Sequence, residues 1–245
     1  MFHLPRWFLP PMMRRKKLKM ALNVTVLTIF PEVFPGFLGY SLTGRALEKG
    51  LWSLKAVNIR DYAFDKHGSV DDTPCGGGAG MIMRPDVLGE AIEHNHKKGK
   101  IIYMSPKGKP LTQQKVHELS KEENITILCG RFEGIDERVL EEYEVEEISI
   151  GDYILTGGEQ AAMILLDAVV RLIDGVLGNA ESIQNESFEN SLLEYPQYTR
   201  PIEWKGRKVP EILLSGHHEN IAKWQIEQAK KITKERRPDL LQKSS

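Results

Sequence analysis

The sequence contains only two cysteines among its 245 residues, Cys75 and Cys129. They have neither the spacing of a metal site nor that of a redox pair, and isolated thiols of this kind fit a reducing compartment. No apolar run reaches the roughly 18 residues that a membrane span requires. These absences exclude a disulfide-stapled protein, and they predict a cytoplasmic protein without a membrane partner.

Motifs of several common enzyme classes are also missing. No Gly-Lys-Ser/Thr sequence marks a phosphate-binding loop, and the glycine cluster at 76–80 follows polar residues rather than an apolar strand. That position argues against a dinucleotide-binding loop and favours a mobile glycine-rich lid. Ser105, Ser149 and Ser215 lie in no nucleophile elbow. Because the histidines show no ligand pattern either, we expect no metal hydrolase, no catalytic triad and no metal site.

Charge is balanced overall but unevenly distributed. The chain has 33 Lys+Arg and 34 Asp+Glu, for a formal net charge of −1. Residues 1–20 carry six basic side chains and no acidic one, residues 133–147 carry eight acidic and one basic, and residues 200–237 carry ten basic and five acidic. A basic C-terminal segment on an acidic body predicts an anionic partner such as nucleic acid, although a solvated helix surface has the same composition.

Hydrophobic patterns predict alternating strands and helices. We expect strands at 23–30, 52–59, 100–104, 125–129 and 146–150, a long loop rich in Gly and Asp at 60–83, and helices at 40–49, at 85–96, from the segment 156–159 onward and at 218–233. This alternation is typical of a parallel α/β sheet. Residues 156–159 (Thr-Gly-Gly-Glu) match a capping box, which predicts the start of the third helix. Ile221, Trp224 and Ala229 make the last helix amphipathic, with lysines largely outside its apolar stripe.

The domain boundaries follow from composition. The polar segment 178–187 has the character of an interdomain linker. We therefore predict a large domain at 21–177 and a smaller helical domain at 188–245. Residues 1–20 contain three prolines, which argue against a regular helix, and we interpret them as an N-terminal extension.

Three loops form the candidate ligand site, because open α/β sheets bind ligands beyond the carboxyl ends of their strands. They are residues 105–110, 129–134 and 151–158, and their glycines allow close approach of the backbone to a ligand. Ordinary turns have a similar composition. The carboxylates available for acid–base chemistry are Asp152, Glu159, Glu181 and Glu186. Composition and spacing do not choose among them.

Motifs at these loops, and along most of the chain, match a known family. They include LTIFPEVF at 27–34, TPCGGGAGM at 73–81, YMSPKGKPL at 103–111, CGRFEGIDERV at 129–139, EISIGDYILTGGE at 147–159 and YPQYTRP at 195–201. Over residues 23–241 the chain resembles the bacterial tRNA (guanine-N1)-methyltransferases of TrmD type, in the SPOUT superfamily. Only residues 1–20 lie wholly outside the resemblance.

The resemblance implies an α/β fold with a parallel sheet and a deep trefoil knot, followed by a small C-terminal helical domain that binds tRNA. General packing rules alone predict a doubly wound sheet without a knot. The resemblance further implies a homodimer whose knot loops from one subunit and linker from the other complete each site. The implied reaction moves a methyl group from S-adenosyl-L-methionine to N1 of the guanine immediately 3′ of the anticodon, which maintains the reading frame. The alternative is a knotted RNA-binding protein with weak or no methyltransferase activity.

The resemblance also implies which residues act. Contacts to the methyl donor would come from Tyr103, Met104, Ser105, Pro106, Gly130, Ile150, Gly151, Asp152, Tyr153, Ile154, Leu155, Gly157 and Gly158. The implied catalytic residues are Glu186, as general base for the guanine N1 proton, and Arg171, which would offset charge on the guanine. The family places an aspartate where this chain has Glu186, so the carboxylate is kept on a longer side chain. An auxiliary divalent ion such as Mg²⁺ is left open.

Overall fold

The computed structural model describes residues 22–177 and 186–242. The predicted extension at 1–20, most of the predicted linker, and Glu181 within it lie outside these described residues. The chain divides into two compact units between Val176 and Leu177. This division falls one residue before the predicted end of the first domain.

The N-terminal unit contains strands and helices in alternation. Its strands are β1 (Leu22–Thr28), β2 (Trp52–Asn58), β3 (Asp71–Asp72), β4 (Ile82–Met83), β5 (Lys100–Pro110), β6 (Asn124–Leu128) and β7 (Glu146–Ser149). Its α-helices are α1 (Ser41–Glu48), α2 (Pro85–Asn95), α3 (Gln113–Leu119), α4 (Glu137–Glu142) and α5 (Glu159–Val170). Short 3₁₀ turns lie at Pro31–Val33, Gly36–Gly39 and Ile59–Tyr62. The predicted strands and helices of this unit are confirmed, with small shifts at most ends and a β5 that continues six residues beyond its predicted end at 104.

Five strands form one sheet in the order β2-β1-β6-β5-β7, and every neighbouring pair is parallel. The predicted parallel α/β class is therefore confirmed. Both faces of the sheet are covered: α1, α3 and α5 pack with one buried cluster, and α2 and α4 with the other. Side chains alternate between the faces, so Ile102 and Met104 join the first cluster and Ile101 and Tyr103 the second. Burial on both faces explains the continuous apolar run at residues 101–104 in the first half of β5.

Two parts of the N-terminal unit differ from the predicted loops. The region 60–83, predicted as a loop, contains a small antiparallel pair formed by β3 and β4. The loop predicted at 105–110 is shorter, because β5 bulges after Met104 and pairs with Ile148 again at Lys109. Gly108 permits this return, since a Cβ there would lie 2.5 Å from the backbone nitrogen of Ile148.

The predicted capping box is wrong, and α5 begins at Glu159, two residues after the first helical position that a box on Thr156 implies. The N-cap residue is Gly158, and no side chain makes a capping hydrogen bond there. The carboxylate of Glu159 is buried and contacts Thr28 and Arg131 instead. The Thr-x-x-Glu pattern therefore predicted that a helix begins here, but it did not predict the contacts of the glutamate.

The C-terminal unit contains a hairpin and helices. Strands β8 (Glu203–Trp204) and β9 (Arg207–Lys208) pair antiparallel, and helices α6 (Glu211–Leu214), α7 (His218–Arg236) and α8 (Asp239–Gln242) follow. The amphipathic pattern predicted for 218–233 is confirmed, because Ile221 and Trp224 are partly buried and Ala229 is buried, whereas the lysines of α7 are exposed. Among the described residues, no helix is both long and apolar enough to cross a membrane.

Gly44 provides a test of the packing of α1. A Cβ at this position would overlap the carbonyl oxygen of Gly39. Alanine favours a helix over glycine by about 1 kcal/mol, yet we expect Gly44→Ala to destabilise the fold by about 1–3 kcal/mol because the turn must move away. Chemical unfolding measures the change, with Glu48→Ala, an exposed position of the same helix, as the control. An unchanged or higher unfolding midpoint would contradict this packing.

Candidate active site

A pocket of about 240 Å³ lies at the carboxyl ends of β5, β6 and β7. Its walls are the bulge of β5, the loop that follows β6, and the loop between β7 and α5. These three strands are adjacent in the sheet and parallel, so their following segments begin side by side. The three loops singled out from the sequence do line one pocket.

Most residues expected to contact the methyl donor line this pocket. They are Tyr103, Met104, Ser105, Pro106, Gly130, Ile150, Gly151, Tyr153, Ile154, Leu155, Gly157 and Gly158. Asp152 is exposed and is not among the lining residues. Arg131 and Glu133 also line the pocket and were not predicted. Their position in the sequence could have pointed to them, because they are the two charged residues of the loop 130–134, which begins and ends with glycine.

Backbone forms much of the pocket wall. The lining glycines are Gly130, Gly134, Gly151, Gly157 and Gly158. The N–H of Gly158 donates to the carbonyl of Gly130 at 3.0 Å, which joins two of the loops directly. A Cβ on Gly158 would lie 2.8 Å from the Cα of Cys129, so only glycine permits this approach. Met104, Ile148 and Leu155 add apolar surface to a wall that otherwise presents peptide groups.

A buried ion pair lies behind this wall. The Glu159 side chain is 5% exposed and pairs with Arg131, whose Nη2 lies 2.9 Å from Oε2. Its Oε1 accepts a hydrogen bond from Thr28 Oγ1 at 2.7 Å and another from Arg131 Nε at 3.3 Å. Arg131 Nη1 donates to the carbonyl of Thr156 at 3.1 Å, and its guanidinium lies 4.5 Å from the ring centroid of Phe30. The pair connects the end of β1 with both loops that meet at Gly158.

Two titratable groups at the pocket are held neutral. Burial, reinforced by the nearby charge of Glu147, raises the pKa of Tyr103 to about 12. Burial also raises the pKa of the Cys129 thiol well above its usual range, with the charge of Glu159 acting in the same direction. Neither group is therefore an anionic base or nucleophile at neutral pH.

The two expected catalytic residues belong to different units. Arg171 directly follows α5 in the N-terminal unit and is partly buried. Glu186 belongs to the C-terminal unit, where it lines a second pocket of about 230 Å³ together with Asn190, Tyr195 and Ile226. Their functional roles stay predictions at this point.

The glycine-rich segment 76–80 is connected to the rim of the first pocket. The carbonyl of Met81 accepts a hydrogen bond from the Glu133 N–H at 2.9 Å, and the N–H of Met83 donates to the Gly134 carbonyl at 3.0 Å. The end of the segment is thus attached to the loop that follows β6. Its role as a mobile lid stays a prediction.

The fold and pocket define an α/β protein with a pocket lined by backbone loops at the carboxyl edge of a parallel sheet, which is the usual ligand-binding position in this class of fold. Within the described ranges, no group of three or more His, Cys, Asp or Glu side chains could hold a metal ion.

Comparison with known proteins identifies the family of this chain. The family model described as tRNA (Guanine-1)-methyltransferase TrmD matches residues 22–243. The chain belongs to this family, which confirms the resemblance seen in the sequence.

Several curated relatives carry the name tRNA (guanine-N(1)-)-methyltransferase. A protein of Mesorhizobium japonicum is 60% identical over 225 residues, covering 91% of this chain and 97% of the relative. A protein of Wolbachia pipientis wMel is 58% identical over 227 residues, with 91% and 96% covered. A protein of Rhodospirillum rubrum is 56% identical over 222 residues, with 90% and 93% covered. In each comparison, the similarity therefore spans nearly the whole length of this chain and of the relative.

The burial of Tyr103 predicts that its phenol loses its proton only at high pH. Its folded pKa of about 12 lies above the ordinary value of 10.0, so protonation of this phenol stabilises the fold. That contribution is fully present below pH 10 and is lost as pH rises through about 12. We expect the difference in tyrosinate absorbance between the wild type and Tyr103→Phe to titrate near pH 12. The variant is needed because the pKa of Tyr143 is also raised to about 12; a difference titrating at the ordinary value would contradict the burial.

Proposed function

We propose that this protein transfers a methyl group from S-adenosyl-L-methionine to N1 of the guanine immediately 3′ of the anticodon in tRNA, and so maintains the reading frame. Membership of the TrmD family over residues 22–243 carries the proposal. The names of its relatives specify tRNA and guanine N1. The identity of the donor and the position of the guanine are our inferences from the family resemblance.

The pocket in the N-terminal unit suits the proposed donor. An adenosine needs apolar surface against its ring and hydrogen-bonding groups at its edge, and the pocket offers apolar side chains beside glycine backbone. We infer that residues 103–106, Gly130, residues 150–155, Gly157 and Gly158 hold the donor. When bound, S-adenosyl-L-methionine supplies a methyl group that its sulfonium already activates. The protein must then supply a deprotonated nitrogen.

Glu186 would supply the proton acceptor. Guanine N1 carries a proton at neutral pH, and its lone pair becomes available for methylation only when that proton leaves. A positioned general base contributes on the order of 10²–10⁴ in rate. The phenol of Tyr103 and the thiol of Cys129 are neutral, and Glu159 is engaged by Arg131 and Thr28, so none of them is suited to this task. Arg171 would offset the negative charge that develops on the guanine.

A homodimer with the knotted topology of the family is part of the proposal. Phe37, Tyr40 and Ile164 are 52%, 76% and 45% exposed. The turn that carries Phe37 packs against α5, because a Cβ on Gly36 would lie 3.0 Å from the Met163 side chain. Large exposed apolar side chains on neighbouring elements are typical of an interaction surface. We propose that a second copy covers it, and that the linker and helical domain of one subunit complete the site of the other.

The C-terminal unit has the surface that tRNA would require. Lys223, Lys230 and Lys231 are exposed on α7. On the β8–β9 hairpin, the Trp204 side chain is 59% exposed and the Lys205 Nζ lies 4.8 Å from its ring centroid. Cations neutralise RNA phosphates, and exposed aromatic rings stack with unpaired bases. We propose that this unit binds tRNA, and that the enzyme works in the cytoplasm.

Labelled methyl transfer tests the function. We expect the purified protein to methylate unmodified tRNA that has guanine immediately 3′ of the anticodon, and to leave the same tRNA with adenine at that position unlabelled. Nucleoside analysis should identify 1-methylguanosine, and parallel reactions with Mg²⁺ or a chelator determine whether a divalent ion assists. Binding of tRNA without methyl transfer in either reaction would favour the alternative, an RNA-binding protein with weak or no activity.

Glu186 can be tested by a matched pair of substitutions. We expect Glu186→Gln to lower the methyl-transfer rate at saturating substrates by about 10² or more, because the amide cannot accept the N1 proton. Glu186→Asp keeps the carboxylate and restores the family residue, so it should remain active. Calorimetry should give the same donor affinity for both variants. A fully active Glu186→Gln enzyme would refute the role of this carboxylate.

A further inference from the structure

We propose that Glu159 is a positioning residue for the donor pocket. Through Arg131 and Thr28 it would hold the loops 130–134 and 150–158 at the separation that donor binding requires. This inference rests on the proposed function, and it concerns a residue to which the family resemblance assigns no role in this chain. Glu159 does not line the pocket, whereas Arg131 does. Any effect of Glu159 on the ligand must therefore pass through its partners.

The contacts of Glu159 come from two separate segments, and Arg131 extends them to a third. Thr28, which is fully buried at the end of β1, donates to one carboxylate oxygen, and Arg131, in the loop after β6, contacts both. Arg131 in turn donates to the carbonyl of Thr156, one residue before the lining glycines 157 and 158. The carboxylate thus links a strand end directly to one pocket loop and, through Arg131, to the second.

Arg131 is held so closely to the loop before α5 that its position determines the shape of the wall. A Cβ on Gly157 would overlap the Arg131 guanidinium, so the guanidinium lies directly against the peptide of that glycine. Phe30 packs on the guanidinium at 4.5 Å. Without the carboxylate, the guanidinium would lose its charge partner and would turn toward water in the pocket. Both the wall and the space available to the donor would change.

A purely structural role for Glu159 is the competing explanation. An acidic residue in the first turn of α5 interacts favourably with the helix dipole, but an exposed acid would do this equally well. The Glu159 carboxylate makes no capping hydrogen bond and is directed at Arg131 and Thr28 instead. A buried ion pair often adds little net stability compared with apolar residues of similar volume. The pair is better explained by the geometry that it imposes on the loops.

Glu159→Gln tests the proposal through ligand affinity. The probe is S-adenosylhomocysteine, measured by calorimetry with the full-length protein. We expect its affinity to fall at least about tenfold, because a hydrogen-bonded charge pair is broken beside the pocket. The KM for the donor should rise by a similar factor, while kcat at saturating donor stays within about threefold of the wild type. Glu141→Gln, at an exposed glutamate on α4, is the matched control and should change neither quantity.

Thr28 provides a second, milder test in case Glu159→Gln does not fold. Thr28→Val keeps the branched shape and removes the hydroxyl that donates to Glu159, so we expect about threefold or greater loss of affinity for the same probe. Thr28→Ser keeps the hydroxyl and should restore most of that affinity. Thermal unfolding without ligand is recorded for every variant.

The outcomes separate this inference from the proposed function. A folded Glu159→Gln protein that binds the probe as tightly as the wild type, with only a lower unfolding temperature, would overturn the positioning role. Equal affinity of Thr28→Val and Thr28→Ser would also overturn the proposed Thr28 link. If the wild type itself does not bind the probe, the donor site fails and with it the proposed function.

Discussion

The structure depends on the parallel pairing of β5 with β6 on one side and β7 on the other. Parallel neighbours end at the same edge of a sheet, so the backbone that follows each strand emerges at one place. The bulge of β5 is part of this arrangement, because it projects residues 105–108 at that edge before the strand pairs again with Ile148 and Ser149. The pocket is therefore a consequence of strand order, and the surrounding helices mainly hold the sheet in place.

A pocket of this kind has few side chains that could take part in acid–base chemistry. Its wall is largely glycine backbone and apolar side chains, and its two lining charges are Arg131, which is paired, and Glu133. Backbone groups recognise a ligand by shape and hydrogen bonding, but peptide groups do not accept protons at neutral pH. A donor that already carries an activated methyl group suits such a wall. In the proposed reaction the proton acceptor is Glu186, which belongs to the other unit of the chain.

Much of the fold could be predicted because burial leaves a pattern in the sequence. Strands β1, β5 and β6 contribute buried apolar residues to both faces of the sheet, and α7 has one apolar face, so the positions of these elements could be predicted from hydrophobicity. Contacts between distant residues leave no such pattern. Thr156 and Glu159 match a helix cap locally, yet the Glu159 carboxylate binds Thr28, which lies 131 residues away in the chain. The two-residue strands β3 and β4 are too short for any periodic signal.

The candidate site, like the fold, could be predicted only in part from the sequence. Loops flanked by glycine at the ends of apolar strands could be located from the sequence, and family motifs named most of the lining residues, but neither indicated that Arg131 is paired behind the wall. A charged residue in a glycine-rich loop could equally bind a ligand or hold the loop. Only the position of its partner distinguishes these roles: a carboxylate that is 5% exposed, behind the pocket lining, leaves the guanidinium anchored. Donor affinity and proton transfer would then depend on different carboxylates, Glu159 and Glu186, in different units of the chain.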